Sequence, residues 1–374
     1  TGRFVDQNVA GCGQALLNRS LFSRLRGGFE SPARLFTMTG FSSNSLSPMP
    51  NKHNDPRRHH IPKQRYKLSN WSDYNRSLQR RGRLDLWVND DLVDCWYHSE
   101  RVFDGSGSTP VYTDQAILIC HEMRVTFMLP LRQVQGFIDS LFEMANLPLK
   151  CPDYTLLSKR LSQLKIKTPR YRKQREPDDA PAAIALDSTG LKRFGRDEWH
   201  QEKHRVSSKR SWRKMHLGSC DNHYIYAAVM TDKNIMDDAV VDALCEQIDV
   251  HVGQISADKA YDENHVYETL EQHFPEADIV IPPKDNLFYD EDKKHAKRCR
   301  AMLEIAAKGQ MGWQVAHHYG KRALAELAMQ RYKRTFGNRL HARALSNQKM
   351  EMMIACGVLN RFTSLGMPKS YRCT

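Results

Sequence analysis

The chain has 374 residues, a formal charge of +13 and an isoelectric point near 9.3. Hydrophobic residues make up 40%, the mean hydropathy is −0.63 and no apolar run approaches the length of a membrane span, which excludes a helical membrane protein and leaves a basic chain suited to a polyanionic partner. Nine scattered cysteines without a CxxC pair exclude a disulfide scaffold and a structural zinc ribbon, and read as reduced thiols in a cytosolic setting.

Residues 1–48 lack steady periodicity and are rich in Gly, Ser and Arg, so they read as a poorly ordered extension ahead of Met49. Residues 49–111 read as a basic arm followed by an irregular segment. Within them, Asn51 to Arg83 carry ten Lys/Arg against two Asp, with Tyr66, Trp71 and Tyr74 interleaved. Such an arm suits phosphate contacts, though a solvated basic segment has the same composition. "LDLWVNDDLVDCW" (84–96) alternates like a short strand or an irregular turn. From 112 to 166 the pattern is helical. Leu131, Val134, Ile138, Leu141 and Phe142 form one apolar stripe, and after a Leu-Pro turn Tyr154, Leu157, Leu161 and Leu164 form another. The second helix turns Thr155, Ser158, Lys159, Arg160 and Gln163 outward. A helical pair with a basic outer face has the form of a helix-turn-helix, with Lys159 and Arg160 as candidate DNA contacts.

"KIKTPRYRKQREPDDAP" (165–181) is charged, Pro-containing and aperiodic, and its stretch 167–181 reads as a linker. From 182 to 365 the pattern changes. "AAIALDST" predicts a buried strand ending at Asp187. "RSWRKMHLGSC" and "YIYAAVMTD" predict two further strands, and "NIMDDAVVDALCEQI" a helix that Asp232, Asp237 and Asp238 cap or start. "VGQISAD" predicts a strand ending at Asp258, "DENHVYETLEQHF" a helix capped by Asp262, and "ADIVIPP" a fifth strand; helices then run from about Glu291, and 366–374 is a tail. The fold class is α/β: a mixed five-stranded sheet flanked by helices, preceded by a mainly helical region.

"YGKRALAELAMQRYK" reads as one helix, with Tyr319, Arg322, Glu326 and Lys333 at offsets 0, 3, 7 and 14. At about 100° per residue these four share roughly 60° of arc. A solvated face with an Arg322–Glu326 pair is the plain reading. The alternative comes from the sheet: if the first and fourth strands are neighbours, Asp187 and Asp258 meet at one rim and a helix across it brings Glu326. Three clustered carboxylates repel unless cations bind, and oxygen donors suit Mg²⁺ or Mn²⁺. Two ions there would serve phosphodiester chemistry, with Arg322 and Lys333 on phosphates and Tyr319 stacked on a base or sugar.

At these residues the sequence resembles the DDE transposases of bacterial insertion sequences. Tyr319, Arg322, Glu326 and Lys333 match the family signature Y-x2-R-x3-E-x6-K, "ALDSTGLK" resembles the segment around its first Asp, and "SADKAYD" the segment around its second. The resemblance covers about residues 49–365. It implies an RNase H-like catalytic domain, with Asp187, Asp258 and Glu326 as catalytic and metal-ligating residues and two Mg²⁺ or Mn²⁺ ions. It further implies binding to terminal inverted repeats and target DNA, a homodimer on DNA, and a bacterial, nucleoid-associated setting in the cytoplasm without a membrane. A nuclease without strand transfer on the same scaffold, and a non-catalytic DNA-binding descendant, stay open. Asp262 competes with Asp258. His200 and His204 have i,i+4 spacing but lack a third soft ligand, and the basic stretch 200–214 could contact DNA phosphates.

Overall fold

The computed structural model describes residues 65–87, 92–99, 111–169, 183–193, 212–284 and 295–373. The expected extension 1–48, the first part of the basic arm, most of the linker, and the stretch 200–211 with His200 and His204 lie outside the described residues. Residues 65–374 form one compact unit.

Strand β1 (Arg65–Leu68) pairs antiparallel with β7 (Ser370–Cys373), Tyr66 opposite Arg372. The terminal residues, expected as a tail, thus close onto the start of the described chain. Helix α1 (Trp71–Arg81) lies within the expected basic arm, and the short α2 (Leu92–Trp96) where a short strand or irregular turn was expected. Three longer helices follow: α3 (Asp114–Thr126), α4 (Leu131–Met144) and α5 (Tyr154–Leu161). Thr113 and Asp153 cap α3 and α5 by accepting from Ala116 N and Thr155 N. Val134, Ile138 and Phe142 are buried as the stripe predicts, and Phe142 meets fully buried Trp96 edge-on at 5.0 Å.

The five-stranded sheet has the order β4-β3-β2-β5-β6. Its strands are β2 (Ala183–Lys192), β3 (Trp212–Cys220), β4 (Ile225–Asp232), β5 (Gln254–Ser256) and β6 (Asp278–Val280). β2, β3 and β4 pair antiparallel, whereas β2–β5 and β5–β6 are parallel. The first and fourth strands are therefore neighbours.

The remaining helices are α6 (Val241–Cys245), α7 (Asn264–His273), α8 (Ala296–Ala316), α9 (Ala323–Phe336) and α10 (Leu345–Leu365). α6 is much shorter than the predicted helix; a 3-10 turn at Asp238–Val240 leads into it, and no side chain caps either. One sheet face buries Ile184 and Leu186 against Val241 and Leu244 from α6 and Val266, Tyr267 and Leu270 from α7. The opposite face buries Leu191, Met215 and Leu217 with Met329 and Tyr332 of α9, Met352 and Leu359 of α10, and the helical core around Ile117, Ile138 and Leu157. The expected linker thus does not divide two cores, because α10 packs between the sheet and the N-terminal helices. Helix α10 stops at Gly366, whose φ of +134° favours glycine and whose Cβ position lies 3.2 Å from that of Ser77 on α1.

Candidate active site at the rim of the central strands

The last parallel pair between β2 and β5 is Ala185 with Ser256. Asp187 and Asp258 each stand two residues beyond it, on chains about 4.8 Å apart. The sequence predicts a strand end at Asp187, but antiparallel pairing to β3 carries β2 on to Lys192, opposite Trp212. Asp258 lies just past β5, where Oδ1 accepts from Ala260 N at 2.9 Å and caps a 3-10 turn, Lys259–Tyr261. Side chains alternate along β2, so Leu186 enters the α6–α7 core while Asp187, Thr189 and Leu191 face α9.

Helix α9 lies along β2 because its buried face, Ala325, Ala328, Met329, Tyr332 and Phe336, packs on the sheet. Its far end is stitched to β2 by Lys192 N to Asn338 O and Leu340 N to Lys192 O, both 2.8 Å. The signature does not lie on one continuous α-helix. His318 is left-handed at φ 50°, Tyr319–Arg322 form a 3-10 turn, and α9 starts at Ala323.

All the same, Arg322 and Lys333 both reach the face of β2 that carries Asp187 and Thr189. Arg322 Nη1 donates to Asp187 Oδ2 at 3.4 Å and Nη2 donates to Glu326 Oε1. Lys333 Nζ donates to Thr189 Oγ1 at 2.6 Å. The sequence reading missed Thr189; its position two residues after Asp187, on the same strand face, is the signal that points to it. Tyr319 is half-buried against Trp313, ring centroids 5.8 Å apart, with the Arg322 guanidinium carbon 5.9 Å from its ring. Less of that ring is open to a base than a solvated helix edge would offer.

The Asp187 carboxyl feels the charges of the other two acids. Burial pushes the Asp187 carboxyl up to about 6; the charges of Asp258 and Glu326 push the same way, and the Ser188 amide and Arg322 oppose them. Burial likewise pushes the Tyr319 phenol up to about 12, aided by the three carboxylates and opposed by Arg322. Beneath the rim, fully buried Tyr261 has a hydroxyl with no hydrogen-bond partner. Burial and the charges of Asp237, Asp187, Asp258 and Asp238 all push its phenol upward.

The oxygen donors and their mutual repulsion suit a hard divalent cation in kind. The spacing is not that of a loaded site: among the described residues, no three His, Cys, Asp or Glu side chains are gathered closely enough to hold a metal ion. Arg322 bridges Asp187 and Glu326 instead.

Asp262 has a different role from the helix cap expected of it. It is fully buried, accepts from Tyr267 Oη at 3.1 Å and Lys284 N at 2.8 Å, and pairs with Arg298 Nε at 2.8 Å. Glu263, not Asp262, occupies the cap position of α7. Asp237 accepts from Lys214 Nζ at 3.0 Å rather than capping. On α5, Lys159 is exposed, but Arg160 is not outward: its Nη2 donates to Asp114 Oδ1 at 2.6 Å and its Nη1 to Tyr112 O at 3.3 Å. Tyr154 is half-buried beneath Arg132, whose guanidinium carbon is 4.7 Å from the ring centroid.

Two family models, each described as a transposase DDE domain, match residues 79–196 and 178–361. Among solved structures the chain is similar to a piggyBac transposase synaptic complex with hairpin DNA, at 11% identity over 77% of this chain and 74% of that one, TM-score 0.38. It is also similar to a Drosophila P element transposase strand transfer complex, at 13% identity over 74% of this chain and 62% of that one, TM-score 0.27. At these scores the structural likeness is loose.

Proposed function

We propose that this chain, which matches transposase DDE domain models over residues 79–196 and 178–361, is a DNA transposase of a bacterial insertion sequence with an RNase H-like catalytic domain. In this reading it binds the terminal inverted repeats of its element, cuts the ends and joins the 3′-hydroxyls to target DNA as a homodimer. The observation that carries the reading is the arrangement around Asp187. Two acids stand side by side past the last parallel pair of β2 and β5, and a third arrives on α9 with Arg322 and Lys333.

Asp187, Asp258 and Glu326 would hold Mg²⁺ or Mn²⁺, two ions per site, whose chemistry when bound is to activate a water or 3′-hydroxyl and stabilise the leaving oxygen. The protein's own share is positioning. The Ser188 and Ala260 amides fix one oxygen each of Asp187 and Asp258. Arg322 carries a planar fork that fits a phosphate bidentately, and Lys333 a point charge farther along the same helix. Tyr319, held on Trp313, supplies a firm wall beside the fork. Water and a 3′-hydroxyl are alternative nucleophiles for one in-line displacement, so a single site serves both cutting and joining.

The test is to supply purified chain, Mg²⁺ and a DNA fragment carrying the gene with its flanks. Nicks at the element's boundaries and joined product on a target plasmid are expected. Boundary nicking without joining would reduce the reading to a nuclease, and binding without metal-dependent nicking would remove catalysis from it.

A further inference from the structure

Strands β1 and β7 form a two-stranded ribbon that buries little of itself. Leu68 and Cys373 are half-buried, while Arg65, Tyr66, Lys67, Tyr371 and Arg372 are exposed. A ribbon without an apolar face is marginal by itself, so the bonds beside it matter. Ser69 N donates to Lys369 O at 2.8 Å. The Asn70 amide uses both its ends: Nδ2 donates to Met367 O at 3.0 Å and Oδ1 accepts from Lys369 N at 2.7 Å. Ser77 Oγ on α1 donates to Gly366 O at 3.2 Å, just past the end of α10. The ribbon is thus tied to the fold while its side chains stay in solvent.

Those side chains follow a pattern. Tyr66 stands opposite Arg372, and Lys67 opposite Tyr371. Opposite residues share a face, with Cβ atoms about 5 Å apart, so each face of the ribbon sets an aromatic ring beside a cation. Neither strand contains an acid, and exposed Lys369 adds a further cation. Just past β1, Trp71 is 59% exposed and meets Tyr74 edge-on, ring centroids 6.4 Å apart; Tyr66 is 59% and Tyr371 53% exposed. Exposed aromatics scattered singly are ordinary on a protein surface, but here they are grouped among cations.

We propose that the β1–β7 ribbon and Trp71 form a binding surface for single-stranded DNA, built from none of the residues at the rim of the central strands. The cations pair with backbone phosphates and the rings stack on bases. An unpaired strand fits better than a duplex, because a ring stacks only on a base whose face is open, and in a duplex neighbouring bases cover both faces. The charge on the two strands is of one sign, as a polyanion requires. An anionic membrane would also attract these cations, but a membrane-facing patch adds aliphatic side chains to its rings, and the one aliphatic residue of the two strands, Leu68, is half-buried. The inference rests on the transposase reading only for the class of polymer; it needs neither a metal ion nor cutting.

The experiment measures binding of a short fluorescein-labelled oligothymidylate to the full chain by anisotropy, with a chelator present. Trp71→Ala and Tyr371→Ala should each weaken binding about tenfold and leave its salt dependence unaltered, because a stacked ring releases no counterions. Lys67→Gln and Arg372→Gln should each lower the salt slope by about 0.7, the value for one phosphate on a single strand. Tyr371→Phe keeps the ring and should bind like the wild type, whereas Tyr371→Val, which keeps strand propensity without the ring, should lose binding as the alanine does. All four positions are exposed, so thermal midpoints should hold. Unchanged affinity in Trp71→Ala and Tyr371→Ala overturns the proposal. Equal losses on a duplex of the same length overturn it in favour of a surface for the duplex backbone. Lost sedimentation with phosphatidylserine vesicles, beside unaltered DNA binding, overturns it in favour of a membrane. If the variants lose oligothymidylate in a chain that never nicks DNA, the ribbon stands and the catalytic reading alone fails; if they bind it unaltered in a chain that nicks, the reverse holds.

Discussion

Two arginine–carboxylate clusters among the described residues behave as opposites. In the first, Asp262 is fully buried and Arg298 is 5% exposed, and the carboxylate accepts from a tyrosine, a backbone amide and the arginine. In the second, Arg322 spans Asp187 and Glu326 with all three partly open, and the Asp187 carboxyl is held up to about 6. The dry pair belongs to the fold, since a buried charge is tolerated only beside an opposite one. The half-open site, with more negative charge than its arginine can neutralise, is the arrangement expected where chemistry occurs.

The largest effects should come from the open cluster. Asp187→Asn, Asp258→Asn or Glu326→Gln should each lower DNA cleavage at least about a hundredfold, because metal stabilisation of the transition state is worth several kcal/mol. Binding to the element's ends should be nearly unchanged, since it rests on phosphate contacts elsewhere. Cleavage and gel-shift measurements on one preparation decide this, and normal cleavage by Glu326→Gln would contradict it.

Asp262→Asn should do the reverse. Leaving Arg298 uncompensated in the interior should cost about 3–5 kcal/mol of stability, read as a lower denaturation midpoint. The fraction that remains folded should cleave DNA at the ordinary rate. A catalytic loss without a stability loss would exchange the roles assigned to Asp258 and Asp262.

The helical region sharpens the comparison through pH. Burial lowers the His121 imidazole from 6.5 to about 4, with Nε2 at 3.1 Å from Leu157 O. Between those values the unfolded chain binds the proton more readily, so this group's contribution is present above pH 6.5 and is lost as pH falls toward 4. It amounts to at most about 3 kcal/mol. Asp187 works in the opposite sense: its folded carboxyl keeps a proton up to about 6 instead of 3.8, so metal-free stability falls as pH rises through that window. Thermal midpoints against pH should lose the first slope in His121→Gln and the second in Asp187→Asn.

Arg322→Lys, Lys333→Gln and Tyr319→Ala should each impair cleavage or joining about tenfold, the loss of roughly 1.4 kcal/mol. Because Tyr319 leans on Trp313, its truncation should also lower the thermal midpoint, which the other two should leave alone. The smallest effect concerns α5. Lys159→Ala should lower the salt slope of end binding by about one if Lys159 meets a phosphate, while Arg160→Ala should leave the slope unaltered because that arginine is paired with Asp114.

Periodicity by itself determined the elements whose burial is one-sided. The stripe of Val134, Ile138 and Phe142 reports which face meets a core, and that information is local. The order of Asp187, Asp258 and Glu326, with the signature around the last, likewise made a candidate site legible, through residue types and the family resemblance together. Partners distant in sequence were decided only by the tertiary structure. Arg160 reads as outward until Asp114, 46 residues away, meets it. Asp262 reads as a cap until Arg298, 36 residues away, buries it. The terminal residues read as a tail until Arg65–Leu68 pairs with them, and Asp187 reads as a strand end because the pairing that prolongs β2 is supplied by β3. A charged side chain has the same local sequence whether it faces water or an opposite charge, and the large desolvation difference between those states is set by what the rest of the chain brings beside it.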